Sequence, residues 1–465
     1  MEQRNTRRQV IQIGSGLVLI LTAGCLGEGD DQEPLDEPTA GDGDDADDGD
    51  PTGSHIDDGD DDDNGDDTDT PDGDTTEGDD DPADDEDEDD ARLPAQPIPE
   101  SELIDDFEDL SRWDVINGDW EANTDTVLTG SQSAEVSIDD ESRRAAIRYS
   151  FRPPVDLRRR SPQLAVKTDE TIRPYIQVVD IYGNRMDYRS MIRANMDFQL
   201  YDFGIDSVPD EFDPGAVETL RIVNSVGETE TRELQFDTLR MAGRHDPGIV
   251  LLQFDDVVET QYTNAFPILD EQDMQATAMV NVGYIGRIVA GTKRTSVAQL
   301  DELYEAGWDI GNHGMYHLNL LDVDDDTIDR EIREAHEWLA DHGFERGAGY
   351  FCYPYALYDQ HVVDTVAEDH DLAFTGGRPA LPRLANRYVI QRALADPDAE
   401  SAIETLDLTA GFGGLTVLFY HDISGDMEAE FETTIEYLAE LREEGRLRVE
   451  TVSDIEDEIL DDSVE

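Results

Sequence analysis

The second half of the chain alternates short apolar runs with stretches of helical periodicity. The apolar runs are short enough to be buried strands, namely Ile249–Phe254, Ala276–Val282, Trp308–Gly311, Gly349–Tyr353, Ala373–Thr375 and Leu415–Tyr420. The stretches between them predict helices at Ser296–Ala306, Thr327–His342, Gln360–Asp369 and Glu428–Glu444. Two of these helices have polar N-caps, at Ser296 and at Asp326 or Thr327, and two end before a glycine, at 343 and 445. Strands that alternate with helices lie parallel in one sheet, and so few strands favour a distorted (β/α) barrel over residues 246–465.

Residues 98–245 follow a different pattern, in which apolar and polar positions alternate over short runs. These runs are Ala134–Ile138, Ala145–Phe151, Gln163–Lys167, Tyr175–Asp180, Glu218–Val223 and Leu234–Leu239. Turn residues separate them and no helical period is visible, which predicts an all-β sandwich. The first and last stretches of the segment, Leu103–Trp113 and Leu234–Met241, resemble the ends of jelly-roll carbohydrate-binding modules.

Aromatic residues of this segment offer a candidate surface for stacking against sugar rings. They are Trp113, Trp120, Tyr175, Tyr182 and Tyr188. Aromatic side chains also serve as core or edge packing in such folds. Both interpretations stay open, so the sandwich is predicted to be an accessory module and its binding of carbohydrate is a hypothesis.

An acidic stretch with almost no apolar residues precedes the sandwich. From Glu28 to Ala91 it consists largely of Asp, Gly, Thr and Pro. Such a segment cannot bury enough apolar surface to offset the entropy of ordering, and its like charges extend it. Its Asp-Gly content is compatible with a calcium-binding repeat, but it has no regular period. We therefore expect residues 25–97 to form a disordered tether.

The first 24 residues have the composition of an export signal. Arg7 and Arg8 precede an apolar segment from Val10 to Leu21, which is shorter than the roughly 20 residues that span a bilayer. The arginine pair resembles a twin-arginine signal, and the LTAGC sequence that ends at Cys25 resembles a lipobox. We expect cleavage before Cys25, a lipid on that cysteine, and a lipoprotein on the outer face of the cell membrane. An uncleaved anchor would lead to the same location.

The chain is strongly acidic in its folded part as well as in the tether. It carries 34 Lys and Arg residues against 113 Asp and Glu residues, a formal net charge of −79. That charge repels nucleic acid and anionic membrane surfaces, so we exclude both as partners that bind through charge. An acidic surface with few lysines resembles proteins of extreme halophiles, which is a hypothesis about the source. Cys25 and Cys352 provide no disulfide framework, and we expect a monomer.

Candidate chemistry begins where the first barrel strand ends. Val250–Asp256 (VLLQFDD) is an apolar run that stops at two carboxylates, Asp255 and Asp256. Neighbouring strand residues point to opposite faces, so the two side chains cannot both continue the core. A strand that runs into an acidic turn would explain them as well. At the carboxyl end of a barrel strand, however, such residues build active sites.

A histidine pair follows a later strand of the predicted barrel. His313 and His317, in NHGMYH, are spaced so that one helical turn would bring both imidazoles to the same side. Neutral histidine and a carboxylate are suitable ligands for Zn²⁺ or a similar divalent ion. An isolated HxxxH pair is usually a surface accident. Together with an aspartate pair at another strand end, it predicts a metal site.

Two further strand ends carry candidate functional residues. In Tyr350–Tyr355 (YFCYPY), Pro354 restricts the backbone and can aim the next N–H into a site. The apolar run Leu415–Tyr420 is followed by His421. A single histidine at a strand end is usually structural. Beside the other three elements it becomes a candidate general acid.

These four elements, in this order, resemble the polysaccharide deacetylase family, whose catalytic module is the NodB homology domain. The resemblance covers about residues 246–450 and implies a NodB-type barrel that removes acetyl groups from N-acetylated polysaccharide. The metal it implies is Zn²⁺, with Co²⁺, Ni²⁺ or Mn²⁺ as alternatives. The roles it implies are a general base at Asp255, metal ligands at Asp256, His313 and His317, an oxyanion-binding N–H at Tyr355 and a general acid at His421.

The sequence departs from the family's usual motifs at several positions. Gln253 stands where Thr usually precedes Phe-Asp-Asp, and Ala356 stands where Gly usually follows the motif tyrosine. The third motif lacks the arginine that often contacts the base, and Cys352 fills a position that is small in a FAYPYG-like subgroup. Arg392 and Asp396 are the candidates for tuning the acid. These departures affect substrate range and rate more than metal binding.

The leading hypothesis is a secreted, lipid-anchored, metal-dependent polysaccharide N-deacetylase with an accessory β-sandwich. A rival hypothesis, motivated by the missing arginine and the additional module, is a cell-surface carbohydrate-binding lipoprotein whose barrel has weak or no activity. A third keeps the metal chemistry but replaces the substrate by another amide or by an ester-linked acetyl group. The sequence does not separate the third hypothesis from the first.

Overall fold

The computed structural model describes residues 96–97, 102–138, 144–225, 232–396 and 398–462. The predicted export signal, the predicted lipidation site at Cys25 and the predicted tether as far as residue 95 lie outside the described residues. Within the described residues, no helix has both the length and the apolar character needed to cross a membrane.

The first folded region is built from antiparallel strands that form two sheets. In chain order the strands are β1 (Gln96–Pro97), β2 (Glu102–Asp105), β3 (Trp113–Asn117), β4 (Asp119–Asn123), β5 (Ser133–Ile138), β6 (Arg144–Asp156), β7 (Arg160–Thr168), β8 (Tyr175–Asp180), β9 (Arg185–Arg189), β10 (Met196–Asp202), β11 (Gly204–Ser207), β12 (Val217–Ser225) and β13 (Arg232–Gly243). One sheet has the order β1-β6-β12-β8-β9-β11, with β3 beside β6. Within this sheet the described strands pair antiparallel, except that β1 and β6 are parallel. The other sheet has the order β10-β7-β13-β5-β4, with β2 beside β13. The predicted β-sandwich is therefore confirmed.

The aromatic residues of the sandwich divide between its core and its surface. Trp113 is 5% exposed and Tyr188 is 1% exposed, so neither presents a face to a sugar. The ring of Trp113 stacks on Phe107 with centroids 5.4 Å apart. The suggestion of sugar stacking is thus wrong for Trp113 and Tyr188, because the apolar area of these rings is used inside the core. Tyr182, which is 68% exposed, is available at the surface.

The second folded region is a closed barrel of parallel strands. The strands beyond the sandwich are β14 (Gly248–Asp255), β15 (Thr277–Val280), the hairpin β16 (Ile288–Val289) and β17 (Thr292–Lys293), β18 (Asp309–Asn312), β19 (Tyr350–Cys352), β20 (Leu372–Gly376), β21 (Ile390–Leu394), β22 (Leu415–Tyr420) and β23 (Leu447–Glu450). Their order is β15-β18-β19-β20-β21-β22-β14, and pairing of β14 with β15 closes the ring. β23 pairs in parallel with the first half of β14, over residues 248–251. The predicted distorted (β/α) barrel is confirmed.

Helices surround the barrel. They are α1 (Phe266–Glu271), α2 (Val297–Glu305), α3 (Asp325–Asp329), α4 (Ala335–Asp341), α5 (Glu345–Ala348), α6 (Gln360–Asp369), α7 (Ala399–Phe412), α8 (Asp426–Glu443) and α9 (Val452–Asp462). A π-helical turn, Gln261–Ala265, precedes α1, and another, Arg330–Glu334, joins α3 to α4. Ser296 caps α2 in a capping box, as predicted, whereas α3 is capped by Asp324 rather than Asp326 or Thr327. In this region of the chain, the strands β16, β17, β21 and β23 and the helices α1, α5, α7 and α9 were not predicted.

The sandwich and the barrel meet through hydrogen bonds between buried groups. Gln163 Nε2 donates to Asp202 Oδ1 at 2.7 Å and to the carbonyl oxygen of Arg383 at 2.9 Å. The backbone N–H of Ala385 donates to the same carboxylate of Asp202, and Gln391 Nε2 donates to the Asp202 carbonyl oxygen at 2.6 Å. The barrel loops that follow β20 thus lie directly against strands β7 and β10 of the sandwich.

Candidate active site

The aspartate pair lies at the carboxyl end of β14, inside the barrel. Every residue of β14 is buried, including Asp255 at its last position. Asp256 has φ of +73° and Val257 has φ of +53°, a left-handed conformation that is costly for residues with a β-carbon. Hydrogen bonds hold this turn, since Arg294 Nη1 donates to the Asp256 carbonyl oxygen and Thr295 N to that of Val257, both at 2.7 Å. The turn points the two neighbouring carboxylates to different partners.

His313 and His317 approach each other through a turn, not through a helix. After β18 the chain passes through Gly314, with φ of +83°, and reaches His317 with φ of +57°. The ring centroids of the two histidines lie 4.7 Å apart. The predicted helical turn is therefore wrong, although the predicted proximity of the imidazoles is confirmed. Glycine suits position 314 because its φ is left-handed, and a β-carbon there would lie 3.1 Å from Glu331 Oε2.

Asp256, His313 and His317 together have the geometry of a metal-binding triad. Their ligand atoms lie within 4.8 Å of one another, with His317 Nε2 3.5 Å and His313 Nε2 3.8 Å from Asp256 Oδ1. His313 Nδ1 lies 2.8 Å from the carbonyl oxygen of Cys352. Because a carbonyl only accepts, Nδ1 carries the proton and Nε2 keeps its lone pair. That Nε2 atom is buried without a hydrogen-bond partner, as expected of a ligand whose partner is a metal ion.

The protonation of His317 also suits metal binding. Burial and the neighbouring His313 lower the pKa of His317 to about 4. The imidazole is therefore neutral at physiological pH, and a neutral imidazole is the form that binds a metal. The residues present fit a divalent cation with one carboxylate and two nitrogen ligands.

Asp255 forms a buried ion pair with an arginine on β21, which is separated from β14 by one strand of the barrel. Arg392, on β21, donates from Nη1 to Asp255 Oδ1 and from Nη2 to Asp255 Oδ2, both at 2.8 Å. Arg392 Nη1 also donates to Gln253 Oε1 at 3.0 Å, and its guanidinium lies 4.2 Å from the ring centroid of Phe419. Burial opposes ionisation of Asp255, but the positive charge of Arg392 outweighs that effect and holds the pKa of Asp255 well below its ordinary value.

The third motif lacks the arginine that often contacts the base, and the ion pair of Asp255 with Arg392 takes the place of that contact. Cys352 occupies the motif position, and its Sγ lies 3.8 Å from Asp255 Oδ2. The positive charge beside Asp255 is that of Arg392 instead. Arg392 is one of the two residues that the sequence predicted would tune the general acid, and it contacts the proposed base. Sequence spacing could not reveal this contact, because 137 residues separate the partners. A buried glutamine on an otherwise apolar strand, Gln253, was the available signal that a polar partner lay nearby.

His421 lies at the end of β22 and is oriented by a carboxylate. Its Nδ1 lies 2.8 Å from Asp396 Oδ2. Gln261, in the π-helical turn before α1, donates from Nε2 to the carbonyl oxygens of both Asp255 and His421. The ends of β14 and β22 are thereby tied together. The sequence analysis did not identify Gln261.

Tyr355 lies beside the metal-binding triad, at the end of β19. Its φ of +58° is left-handed, and its ring centroid is 4.4 Å from that of His317. Nearby, Tyr316 is 42% exposed and packs edge-on against Tyr284 with centroids 5.7 Å apart. Tyr284 donates its hydroxyl proton to the Tyr316 carbonyl oxygen at 2.9 Å. An aromatic ring therefore contacts the triad at His317, and a second pair of rings packs around the residue before it.

Glu331 supports the loop that carries His317 and was also missed by the sequence analysis. It is buried in the π-helical turn between α3 and α4, and its Oε2 accepts the backbone N–H of Tyr316 at 2.8 Å. The backbone N–H groups of Met315 and Leu318 also face this carboxylate. Burial raises the pKa of Glu331, while these donors oppose that effect. A glutamate within a helical pattern gives no sequence signal for such a role.

The fold and the side chains inside it define a class of protein, a (β/α) barrel with a candidate metal site and candidate acid–base residues at the carboxyl ends of its strands. Comparison with known proteins narrows the class. Residues 242–374 match the family model described as polysaccharide deacetylase. This segment of the chain is similar to that family.

Two staphylococcal relatives are similar to part of the chain. The poly-beta-1,6-N-acetyl-D-glucosamine N-deacetylase of Staphylococcus epidermidis is 27% identical over 185 residues, which are 37% of this chain and 64% of that protein. The protein of the same name from Staphylococcus aureus strain MRSA252 is 26% identical over 176 residues, 36% of this chain and 60% of that protein. The chain thus spans less than two thirds of the length of these relatives. Among solved structures, a family 4 carbohydrate esterase from Bacillus anthracis is 21% identical with a TM-score of 0.33, covering 45% of this chain and 83% of its own.

Proposed function

We propose that this protein is a metal-dependent hydrolase that removes N-acetyl groups from a polysaccharide. The observation that carries the proposal is the convergence of three elements at one end of the barrel. These are the triad of Asp256, His313 and His317, the ionised Asp255, and the His421–Asp396 pair. Residues 242–374 match the polysaccharide deacetylase model, and the staphylococcal relatives are named as N-deacetylases of poly-N-acetylglucosamine. Both support a polymer of N-acetylated hexosamine as the substrate class.

Asp256, His313 and His317 would hold the metal, for which the ligand set favours Zn²⁺ over Co²⁺, Ni²⁺ or Mn²⁺. A divalent ion there, when bound, polarises the acetyl carbonyl and lowers the pKa of water. Two nitrogen donors with one carboxylate are the combination used by hydrolytic zinc sites. Orientation of these ligands depends on the chain itself, through the Cys352 carbonyl that binds His313 and through Glu331 beneath the loop.

Asp255 is proposed as the general base. Its low pKa keeps the carboxylate ionised across the neutral range, which is the form that accepts a proton. His313 Nε2 lies 3.9 Å from Asp255 Oδ2, so the base adjoins the triad without depending on it for position. Arg392 fixes both carboxylate oxygens and thereby their direction. The base takes the proton of the attacking water, and the new C–O bond forms at the acetyl carbon.

His421 is proposed as the general acid. Asp396 binds its Nδ1 and stabilises the imidazolium, so that Nε2 can give its proton to the sugar nitrogen when the C–N bond breaks. The products are acetate and the free amine of the sugar. Tyr355 contributes its backbone N–H to the oxyanion in this proposal, from a position beside His317.

The test separates metal binding from turnover. Asp256→Asn is expected to lose metal and activity, whereas Asp255→Asn should retain metal and lose acetate release from N-acetylated chito-oligosaccharides. Asp301→Asn, an exposed position on α2, is the matched control and should behave as the unmodified protein. Metal content is measured by elemental analysis and acetate by an enzyme-coupled assay. Equal metal loss in both site variants, or activity that survives Asp256→Asn, contradicts the proposal.

An acetyl ester or another amide is the second candidate substrate, since the same base, metal and acid serve both reactions. Comparing acetate release from O-acetylated and N-acetylated oligosaccharides of equal length distinguishes them. The hypothesis of an inactive barrel rested on the missing motif arginine and on the additional module. The contact of Arg392 with Asp255 removes the first of these grounds.

The location follows from the N-terminal sequence alone and is proposed on that basis. Export and a lipid on Cys25 would hold the protein on the outer face of the cell membrane. Cys25→Ser should then shift the protein from the membrane fraction to the medium. Retention of this variant in the membrane fraction would contradict the lipid anchor.

A further inference from the structure

Four arginines gather where the sandwich meets the barrel, in a chain that has few basic residues. Arg173, Arg189 and Arg193 belong to the sandwich, and Arg378 belongs to the barrel loop after β20. We call this set the junction arginines. The whole chain has 34 basic residues against 113 acidic ones, so carboxylates to neutralise these four side chains are plentiful in the sequence.

The backbone brings the junction arginines of the sandwich to one end of its first sheet. Tyr175, the first residue of β8, is opposite Arg189, the last residue of β9. Just beyond them Ile172 and Ile192 form an antiparallel bridge with two hydrogen bonds, of 2.9 and 3.0 Å. Arg173 and Arg193 each follow one partner of that bridge, so they project from the same side of the paired segments. The guanidinium of Arg189 lies 4.7 Å from the ring centroid of Tyr175.

The charge of this cluster is incompletely neutralised. Asp206 pairs with both Arg378, at 2.7 Å, and Arg189, at 3.7 Å. The neighbouring Asp187 is already paired with Arg185. Four junction arginines share one carboxylate, which leaves an excess of three positive charges (4 − 1 = 3).

The positive charge of Arg193 is not neutralised by a carboxylate within the described residues. It is 8% exposed, and its Nε atom is buried without a hydrogen-bond partner. Among the ion pairs of the described residues, neither Arg193 nor Arg173 has a carboxylate within 4 Å. Burial, and then repulsion from Arg173, lowers the pKa of Arg193. An acidic chain that keeps a buried arginine unpaired retains a local positive potential at a point where it is costly.

The junction arginines adjoin the candidate active site on the Tyr355 side. Met191, between Arg189 and Arg193 in sequence, packs on the barrel at Gly376, where a β-carbon would lie 3.9 Å from Met191 Cε and 3.6 Å from Ala356 Cβ. Ala356 follows Tyr355, whose ring contacts His317. Neighbouring residues therefore lead from the arginine cluster to the metal-binding triad.

We propose that the junction arginines form a subsite for acidic sugar units of the polysaccharide, bound while a neighbouring N-acetylated unit lies at the triad. This inference rests on the proposed function and names its substrate class, an anionic N-acetylated glycan. The protein's net charge of −79 repels a polyanion, so binding one requires a local positive region close to the site. Guanidinium groups bind carboxylate and sulfate in a two-point geometry, and the ring of Tyr175 holds Arg189 in place.

The experiment measures binding apart from turnover. The metal-loaded Asp255→Asn variant of the full chain is titrated calorimetrically with three oligosaccharides of equal length. The first alternates N-acetylglucosamine with glucuronic acid, the second carries sulfate in place of the carboxylates, and the third is neutral chito-oligosaccharide. At least one acidic probe is expected to bind about tenfold more tightly than the neutral one, with an affinity that falls as salt rises. Preference between the first two probes identifies carboxylate or sulfate as the ligand group.

Substitution of the arginines supplies the second arm. Arg173→Gln combined with Arg378→Gln should abolish the preference for acidic probes and leave the affinity for the neutral probe unchanged. Arg148→Gln, which removes an exposed arginine paired with Asp114 on the same sheet, is the control and should keep the preference. Circular dichroism and thermal melting verify that each variant is folded, and Arg173→Gln alone, at an exposed position, gives a variant whose fold is least disturbed.

Two results would overturn the subsite. One is equal affinity for acidic and neutral probes in the parent protein, and the other is an acidic preference that survives the double substitution. Either result leaves the proposed function standing if acetate is still released from the neutral oligosaccharide by the protein with Asp255 intact. If acetate is released from none of the probes, the proposed function is refuted. The calorimetric comparison of acidic and neutral probes would still decide whether the subsite exists, because it does not depend on turnover.

Discussion

Asp202 offers the sharpest test of how the sandwich and barrel are joined. Its carboxylate is buried between β10 and the loop after β20, where it accepts from Gln163 Nε2 and from the backbone N–H of Ala385. Burial outweighs these hydrogen bonds and raises the pKa of Asp202 from 3.8 to about 7. The folded state thus binds this proton more tightly than the unfolded state.

The sign of the pH dependence follows from that difference. Between the unfolded pKa of about 3.9 and the folded pKa of about 7, the folded protein carries more protons, so its stability falls as pH rises. The shift of about 3 units (7 − 3.8) corresponds to about 4 kcal/mol at pH values above both pKa values. Most of this cost, about 3 kcal/mol, develops between pH 5 and pH 8.

Asp202→Asn removes the ionisation while keeping the shape. Both donors approach Oδ1, at 2.7 Å from Gln163 Nε2 and 3.2 Å from Ala385 N, and an amide oxygen can accept from both. The new amide N–H₂ faces backbone donors and costs about 1 to 1.5 kcal/mol. We therefore expect the variant to be more stable than the parent by about 2 to 3 kcal/mol at pH 8.

Denaturant unfolding at pH 5, 6, 7 and 8, at one salt concentration, measures the effect. The stability of the variant relative to the parent should increase by about 3 kcal/mol from pH 5 to pH 8. Asp197→Asn, an exposed carboxylate on the same strand, is the control and should follow the parent. Parallel pH profiles for Asp202→Asn and the parent would show that Asp202 is ionised in the folded protein and refute the reasoning.

Two further predictions concern the candidate active site. Arg392→Met should destabilise the metal-free protein by about 3 to 5 kcal/mol at pH 7, because Asp255 is left buried without a counter-charge. Denaturant unfolding measures this loss, and a second substitution, Asp255→Asn, should recover most of it. Strictly additive effects of the two substitutions would contradict the ion pair. Glu331→Gln should weaken metal binding by about 10-fold in a chelator-competition titration, because it removes one acceptor for the backbone N–H groups of the His317 loop. Glu334→Gln, exposed in the same π-helical turn, should leave the affinity unchanged, and an equal effect of both substitutions would rule out a specific role for Glu331.

Local patterns in the sequence were sufficient for the architecture and for the positions of several site residues. Buried strands such as β14 and β22 are continuous apolar runs, and a strand that ends in a polar residue places that residue at the carboxyl edge. In a parallel barrel all such edges lie at the same end. Asp255, His313 and His421 could therefore be expected to meet before any distance was known.

Some elements escaped prediction because their signals are short or ambiguous. β21 mixes Gln391 and Arg392 with apolar residues, so it lacks the continuous apolar run of the other strands. Both polar side chains are buried, one against the sandwich and one against Asp255. Burial of polar residues is decided by partners distant in sequence, and a local pattern does not contain that information.

The aspartate pair Asp255 and Asp256 illustrates which features the sequence determines and which depend on the tertiary structure. The sequence by itself determined that two carboxylates follow a buried strand, since hydrophobic patterning and residue alternation are local properties. Only the tertiary structure decided that Arg392 neutralises Asp255 and that a left-handed turn directs Asp256 to His313 and His317. The reason is that charge pairing and φ above zero depend on contacts across the barrel, which form only when the strands close into a ring.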